Sequence, residues 1–223
     1  MKHGIPVSLF LLSFASSLWA APAPLADAVA AKAAERITKL LSGKIDVNSP
    51  QVDGMTALHW AAYHDDAALG GRLLKRGAKA SVKNRYGISP LYLVYQNGNG
   101  ELTQALLKAG ADPNAAIAGG ETALMTAART GRPGPVIALL KAGAKIDARE
   151  AGGQSALMWA AAEGNIKVVD ALLGAGANFK TPLPKSGYTP FFFAVRQGNT
   201  QVVHRLLAAD VDVNVPMNPQ KQN

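Results

Sequence analysis

The densest group of potential metal ligands or proton carriers in the sequence is His59, His64, Asp65 and Asp66. A metal ion needs such groups to converge on one point. His59 and His64 are five residues apart, so on a helix they point ~140° away from each other. The other histidines, His3 and His204, are isolated. Cysteine is absent, which removes disulfides, cysteine-ligated zinc, iron–sulfur clusters and a thiol nucleophile together. The pairs Gly119-Gly120 and Gly152-Gly153 do not follow a strand, as a phosphate-cradling loop would. No pair of carboxylates is spaced for acid–base work. The residues therefore predict a non-enzyme with no metal and no cofactor.

Binding remains, and charge is the next guide. The chain has 23 Lys and Arg against 15 Asp and Glu, a formal charge of +8. A basic balance prompts a nucleic-acid or acidic-membrane hypothesis. Here Arg85, Arg129, Lys141, Lys167 and Arg205 stand apart, with no basic run. That is the pattern of a solvated surface, and it argues against nucleic acid as the partner. Apolar residues make up 48% and charged residues 17%, as in a folded chain rather than a disordered one.

The first twenty residues have the layout of a secretory signal peptide. Lys2 gives a positive start, Ile5 to Ala15 is a short apolar core, and Leu18-Trp19-Ala20 precedes Ala21-Pro22. Cleavage is expected after Ala20, because the next bond has proline just beyond it. The apolar core is too short for the ~20 residues that span a bilayer. The expectation is an exported protein, periplasmic or secreted, with no stable membrane span after cleavage.

Most of the remainder repeats. Thr56-Ala57-Leu58-His59-Trp60-Ala61-Ala62 aligns with segments beginning at Ser89, Thr122, Ser155 and Thr189, at spacings of 33, 33, 33 and 34 residues. Two positions before each lies Gly54, Gly87, Gly120, Gly153 or Gly187. Seventeen positions after each a Leu-Leu pair begins, at Leu73, Leu106, Leu139, Leu172 and Leu206. Ser or Thr before an apolar run is a helix N-cap, and Pro90 and Pro190 fit a first helical position. Gly98, Gly131, Gly164 and Gly198 suit the left-handed conformation that ends a short first helix. A second helix then carries the Leu-Leu pair. One such unit cannot bury its own apolar face, but stacked units bury a continuous core.

This pattern resembles the ankyrin-repeat family, over about residues 23–215. The resemblance implies an all-α solenoid of paired antiparallel helices with hairpin-like turns. After the signal at 1–20 come a divergent N-terminal capping repeat at 21–52 and five clear repeats at 53–85, 86–118, 119–151, 152–185 and 186–218, with a polar tail at 219–223. The family histidine stands only at His59; Tyr92, Met125, Met158 and Phe192 replace it, so its link to the capping Thr is expected in one repeat. Asp65, Asp210 and Lys32 replace structural glycines, and Lys32 leaves residues 25–41 open to run as one helix.

The resemblance also implies a protein partner docked on the concave side, on the hairpin tips and the exposed face of the first helices. The corresponding residues are Met55, Tyr63, His64, Arg85, Tyr86, Ile88, Gln96, Asn97, Arg129, Tyr188 and Arg196. The richest group is Met55, Tyr63, Tyr86 and Ile88 beside Arg85, since Tyr and Arg are enriched in binding hot spots. The partner is a protein met in the export compartment, with the chain as inhibitor, chaperone or accessory subunit. Alternatives are a secreted effector acting on a host protein, and a binder of an anionic polymer or membrane surface. The last repeat, with Phe191-Phe192-Phe193 and no capping helix after it, is expected to expose an apolar end open to self-association or to further repeats. Intact mass of the exported protein should show loss of Met1 to Ala20; a folded product that retains them would refute the signal reading.

Overall fold

A computed structural model describes residues 22–216, so the signal segment and the polar tail lie outside the described residues. Twelve helices are present among the described residues, two in each of six units. The first unit holds α1 (Pro24–Ala30) and α2 (Ala34–Ser42); the second holds α3 (Ala57–Tyr63) and α4 (Ala67–Lys75); the third holds α5 (Pro90–Asn97) and α6 (Gly100–Lys108). Then follow α7 (Ala123–Thr130) and α8 (Pro133–Lys141), α9 (Ala156–Glu163) and α10 (Ile166–Gly174), and α11 (Pro190–Arg196) and α12 (Thr200–Leu207).

Four of the six first helices, α3, α5, α7 and α9, begin where a hydroxyl meets a free amide. Thr56, Ser89, Thr122 and Ser155 accept from the amides of His59, Tyr92, Met125 and Met158. Thr189 does not, and its buried hydroxyl has no partner among the described residues. The first helix ends at a left-handed residue, which turns the chain back into the second helix. Glycine fills that place at Gly98, Gly131, Gly164 and Gly198, but Asp65 adopts it at φ 61° and Lys32 at φ 52°. The left-handed Lys32 divides residues 25–41 into two helices, correcting the single-helix alternative: α1 packs on α3 and α2 folds back on α1, which outweighs the cost of a side chain there.

The first helices stack in the order α1, α3, α5, α7, α9, α11, and the second helices stack from α4 to α12 beside them. Between the two rows run equivalent residues that are all buried. Leu58, Leu91, Leu124, Leu157 and Phe191 come from the first helices, and Leu73, Leu106, Leu139, Leu172 and Leu206 from the second. Ala61, Ala127, Ala160 and Ala194, none exposed, let the first helices approach closely. The ends differ. The outward residues of α2 are polar, including Glu35, Arg36, Thr38 and Lys39, whereas at the other end Val195, Leu207 and Val213 are exposed.

Successive units are also clasped by polar side chains at the ends of the first helices. His64 Nε2 donates to Ala30 O at 3.2 Å, and Asn97 Nδ2 donates to Ala62 O and Tyr63 O, each at 3.0 Å. Asn165 Nδ2 reaches Ala128 O and Arg129 O, and Asn199 Nδ2 reaches Ala161 O and Ala162 O, all within 2.8–3.0 Å. These bonds satisfy carbonyls that a helix end leaves free. In the unit with α7 and α8 the place of Asn165 and Asn199 is taken by Arg132, whose stem lies over Gly98, so close that a Cβ there would fall 1.6 Å from Arg132 Cδ. No side-chain bond from this unit to the end of α5 is seen among the described residues, and α8 instead begins Pro133-Gly134-Pro135 without a side-chain cap. Arg132→Asn should supply the missing clasp and raise stability by about 1 kcal/mol, the net worth of a typical hydrogen bond; the midpoint of denaturant unfolding measures it.

Candidate functional site

The hairpin tips are built by short polar bonds. In the tip 82–88, Asn84 Oδ1 accepts from the amides of Tyr86 and Ile88, both at 2.9 Å, and Asn84 Nδ2 donates to Met55 Sδ of the preceding tip at 3.4 Å. Met55 is thus 4% exposed and belongs to the core, not to a docking surface. It lies between the turn at Gly54 and the N-cap Thr56, where the chain turns inward. Ile88 is half-buried, and its carbonyl is taken by His59. Met55 leaves the expected contact set, and Ile88 offers only part of its side chain.

Arg85 is exposed but already employed. Its guanidinium donates to Val52 O and its amide to Asp53 O, joining two adjacent tips. Asn97 and His64 are the clasps already described. The Gln96 side chain lies outside the described residues. Around His64 the structure gathers a residue that the sequence analysis passed over: Trp60 stacks on His64 at 5.7 Å and meets Tyr63 edge-on at 5.5 Å. Trp60 Nε1 donates to Gln51 Oε1, and Gln51 Nε2 donates to Asp27 Oδ1, both at 2.7 Å, tying the capping unit to the next. The signal for Trp60 was present in the sequence, since Trp159 occupies the same place three repeats later.

What stands out from the frame is three large side chains, two on hairpin tips and one at the end of α3. Val52 is 57% exposed, Tyr63 39% and Tyr86 59%. Farther along the same side, Arg129 is half-buried, its guanidinium 5.6 Å from the centre of the Trp159 ring and 3.5 Å from Glu121 Oε1. Tyr188 is half-buried against Phe192 and Phe193, with the exposed Arg196 5.9 Å above its ring. The eleven expected residues are therefore not one surface. Tyr63, Tyr86 and Arg196 present themselves to solvent, Ile88, Arg129 and Tyr188 do so in part, Met55 is buried, and His64, Arg85 and Asn97 hold neighbouring units together.

The suspected metal group does not assemble. Among the described residues no three His, Cys, Asp or Glu side chains form a group that could hold a metal ion. His59 is fully buried and faces Thr56 and Ile88. Its Nδ1 accepts from the Thr56 amide at 3.1 Å and lies 2.8 Å from Thr56 Oγ1, so Nε2 carries the proton and donates to Ile88 O at 3.1 Å. Met125 Sδ repeats part of this link, accepting from the Thr122 amide at 3.4 Å, so the link is not confined to the repeat with the histidine.

Burial pushes the His59 pKa below its ordinary 6.5, against a smaller upward pull from the Ile88 carbonyl and Asp53. The folded state therefore binds this proton less readily than the unfolded chain. The stability that neutral His59 provides is complete above about 6.5 and is lost as the pH falls below it, toward the lowered folded value. His59→Met, which borrows the residue of two other repeats, should flatten the fall in unfolding free energy between about pH 7 and 5; an unchanged slope would remove His59 from this role.

Among the described residues no helix is long and apolar enough to cross a membrane. A family model described as ankyrin repeats in three copies matches residues 25–117, 67–150, 116–182 and 138–217. No curated protein matched the chain. Ankyrin repeats generally mediate protein–protein interaction, and proteins built of them are typically non-catalytic. The period, the hydroxyl-capped first helices, the left-handed turns and a match running through every unit of the solenoid agree: this chain belongs to the ankyrin-repeat family.

Proposed function

We propose that this is an exported, non-catalytic binding module that engages a partner protein on the side formed by its hairpin tips and first helices. The observation that carries the reading is the exposure of Val52, Tyr63 and Tyr86 on the tips and first helix of neighbouring units. An apolar side chain on a mobile loop loses entropy when a partner fixes it. Here the backbone beneath is already fixed, by the Asn84 bonds under Tyr86 and by the Trp60 contact beside Tyr63. Export follows from the charged start and short apolar core of residues 1–20, and places the partner in the periplasm or outside the cell. The role at that partner is that of inhibitor, chaperone or accessory subunit.

A photo-reactive residue in place of Tyr63 or Tyr86, with one at Ile137 on α8 as comparison, tests the face directly. Expected is a crosslink to the same purified protein from both tyrosine positions and none from Ile137. Tyr63→Ala with Tyr86→Ala should weaken that protein by about 2 kcal/mol or more, the scale of a hot spot, with the melting temperature nearly unchanged. Arg85→Ala is predicted to behave differently, lowering stability because it unties two tips. Crosslinking from Ile137 alone would move the interface to the second helices and overturn the proposal.

A further inference from the structure

We propose that the partner segment bound on this side is acidic, with its carboxylates held across α7, α9 and α11 by Arg129, Arg196 and Lys185. This rests on the reading that the tips and first helices are the docking face, and adds the chemistry of what docks there. The helices α7, α9 and α11 lie side by side in that order. At equivalent positions seven residues beyond each cap stand Arg129, Ala162 and Arg196, so two guanidinium groups flank one small side chain. Each guanidinium is laid over an aromatic ring, Arg129 over Trp159 and Arg196 over Tyr188, at 5.6 and 5.9 Å. A stacked guanidinium keeps its N–H edge available and has lost part of its freedom in advance, which favours carboxylate recognition. Lys185, exposed on the neighbouring hairpin, adds a third cation.

Glu163 at the end of α9 is an exposed carboxylate beside this row and leaves it three cations against one; the other carboxylates of the same side already serve the protein. Glu150 accepts from the amides of Gly152 and Gln154 at 2.7 and 2.9 Å, and Asp53 from that of Met55 at 2.9 Å. Glu121 accepts from Thr126 Oγ1 at 2.9 Å, with the Arg129 guanidinium at 3.5 Å as a loose second contact. Among the described residues neither Arg196 nor Lys185 has an ion-pair partner. The other basic row, Lys75, Lys108 and Lys141, needs no ligand to explain it. These lysines sit in the last turns of α4, α6 and α8, where a cation complements the helix dipole, and Asp112 and Asp147 lie in the loops beyond. That row provides a control of equal charge on a different face.

The test uses the whole chain and a labelled dodecapeptide of alternating Glu and Tyr, with a Gln and Tyr peptide and inorganic polyphosphate as comparisons. Expected is binding of the acidic peptide that weakens with salt and falls about tenfold in the Lys185→Gln, Arg196→Gln double variant. The Lys75→Gln, Lys108→Gln variant, which loses the same charge, should change affinity less than about twofold. Unchanged melting curves exclude misfolding as the cause. Equal losses in the two variants would show attraction to net charge alone, and equal binding of the Gln peptide would remove the carboxylate; either overturns the proposal. Polyphosphate bound more tightly than the peptide and lost in the same variant would assign the site to an anionic polymer instead. Failure of the peptide to bind, with crosslinks from Tyr63 and Tyr86 intact, would sink this inference and leave the docking face standing.

Discussion

A pair of helices seven to nine residues long cannot stand alone in water. Its apolar stripe is as large as the unit itself, and nothing within the unit covers it. Every other feature follows from that constraint. The Leu residues of each unit find their cover in the next, so the core is a line and not a centre. The small Ala residues of the first helices set how closely the units approach, and the clasps from Asn97, Asn165 and Asn199 set how they are aligned. The junction without such a clasp, where Arg132 faces Gly98, is tied by side chains at its other edge, where Asn114 accepts from the Lys145 amide and donates to Gly143 O.

The frame was legible in the sequence because each framing residue repeats. Five Ser or Thr starts, five Leu-Leu pairs and the glycines between them report one geometry several times over. The divergent first unit shows how far this reaches. Ala23, Leu41 and Asn48 keep their spacing, but Lys32 hid the turn that the structure places there. A left-handed lysine is a tertiary outcome of α1 packing on α3 and α2 folding back on α1, and no local preference announces it.

The surface was less legible, for a physical reason. At a tip position the side chain can turn out to solvent or back toward the next tip, and residue type does not decide which. Met55 turned inward to meet Asn84, and Arg85 stayed outside but spent its donors on Val52. The position of Met55 is held elsewhere by Ile88, Glu121, Gln154 and Tyr188, a mixture that gives no pattern to read. Tyr63 and Tyr86 were identified on type and remain exposed, while Trp60 was overlooked because its face of α3 had not been assigned. Charge behaved likewise. Cations spread along the chain in sequence are gathered by the 33-residue period onto shared rows, and only the bonds made by Glu121 and Glu150 show which of their counter-charges are already engaged.

The linear core has a consequence for how the chain reaches its fold. Among the described residues the side-chain bonds between units span at most 38 residues of sequence, about the length of one repeat and a turn. No early residue waits for a distant late one. A chain leaving a narrow channel with its N-terminus first can therefore complete α1 and α2, dock α3 and α4 upon them, and continue unit by unit while the rest is still threaded. The polar outer face of α2 suits the unit that emerges first and must face water alone. The exposed Val195 and Leu207 belong to the last described unit, which emerges when an ordered stack is already present to receive it. Order of emergence and order of burial coincide, which keeps the length of unsheltered apolar chain near one repeat at every stage.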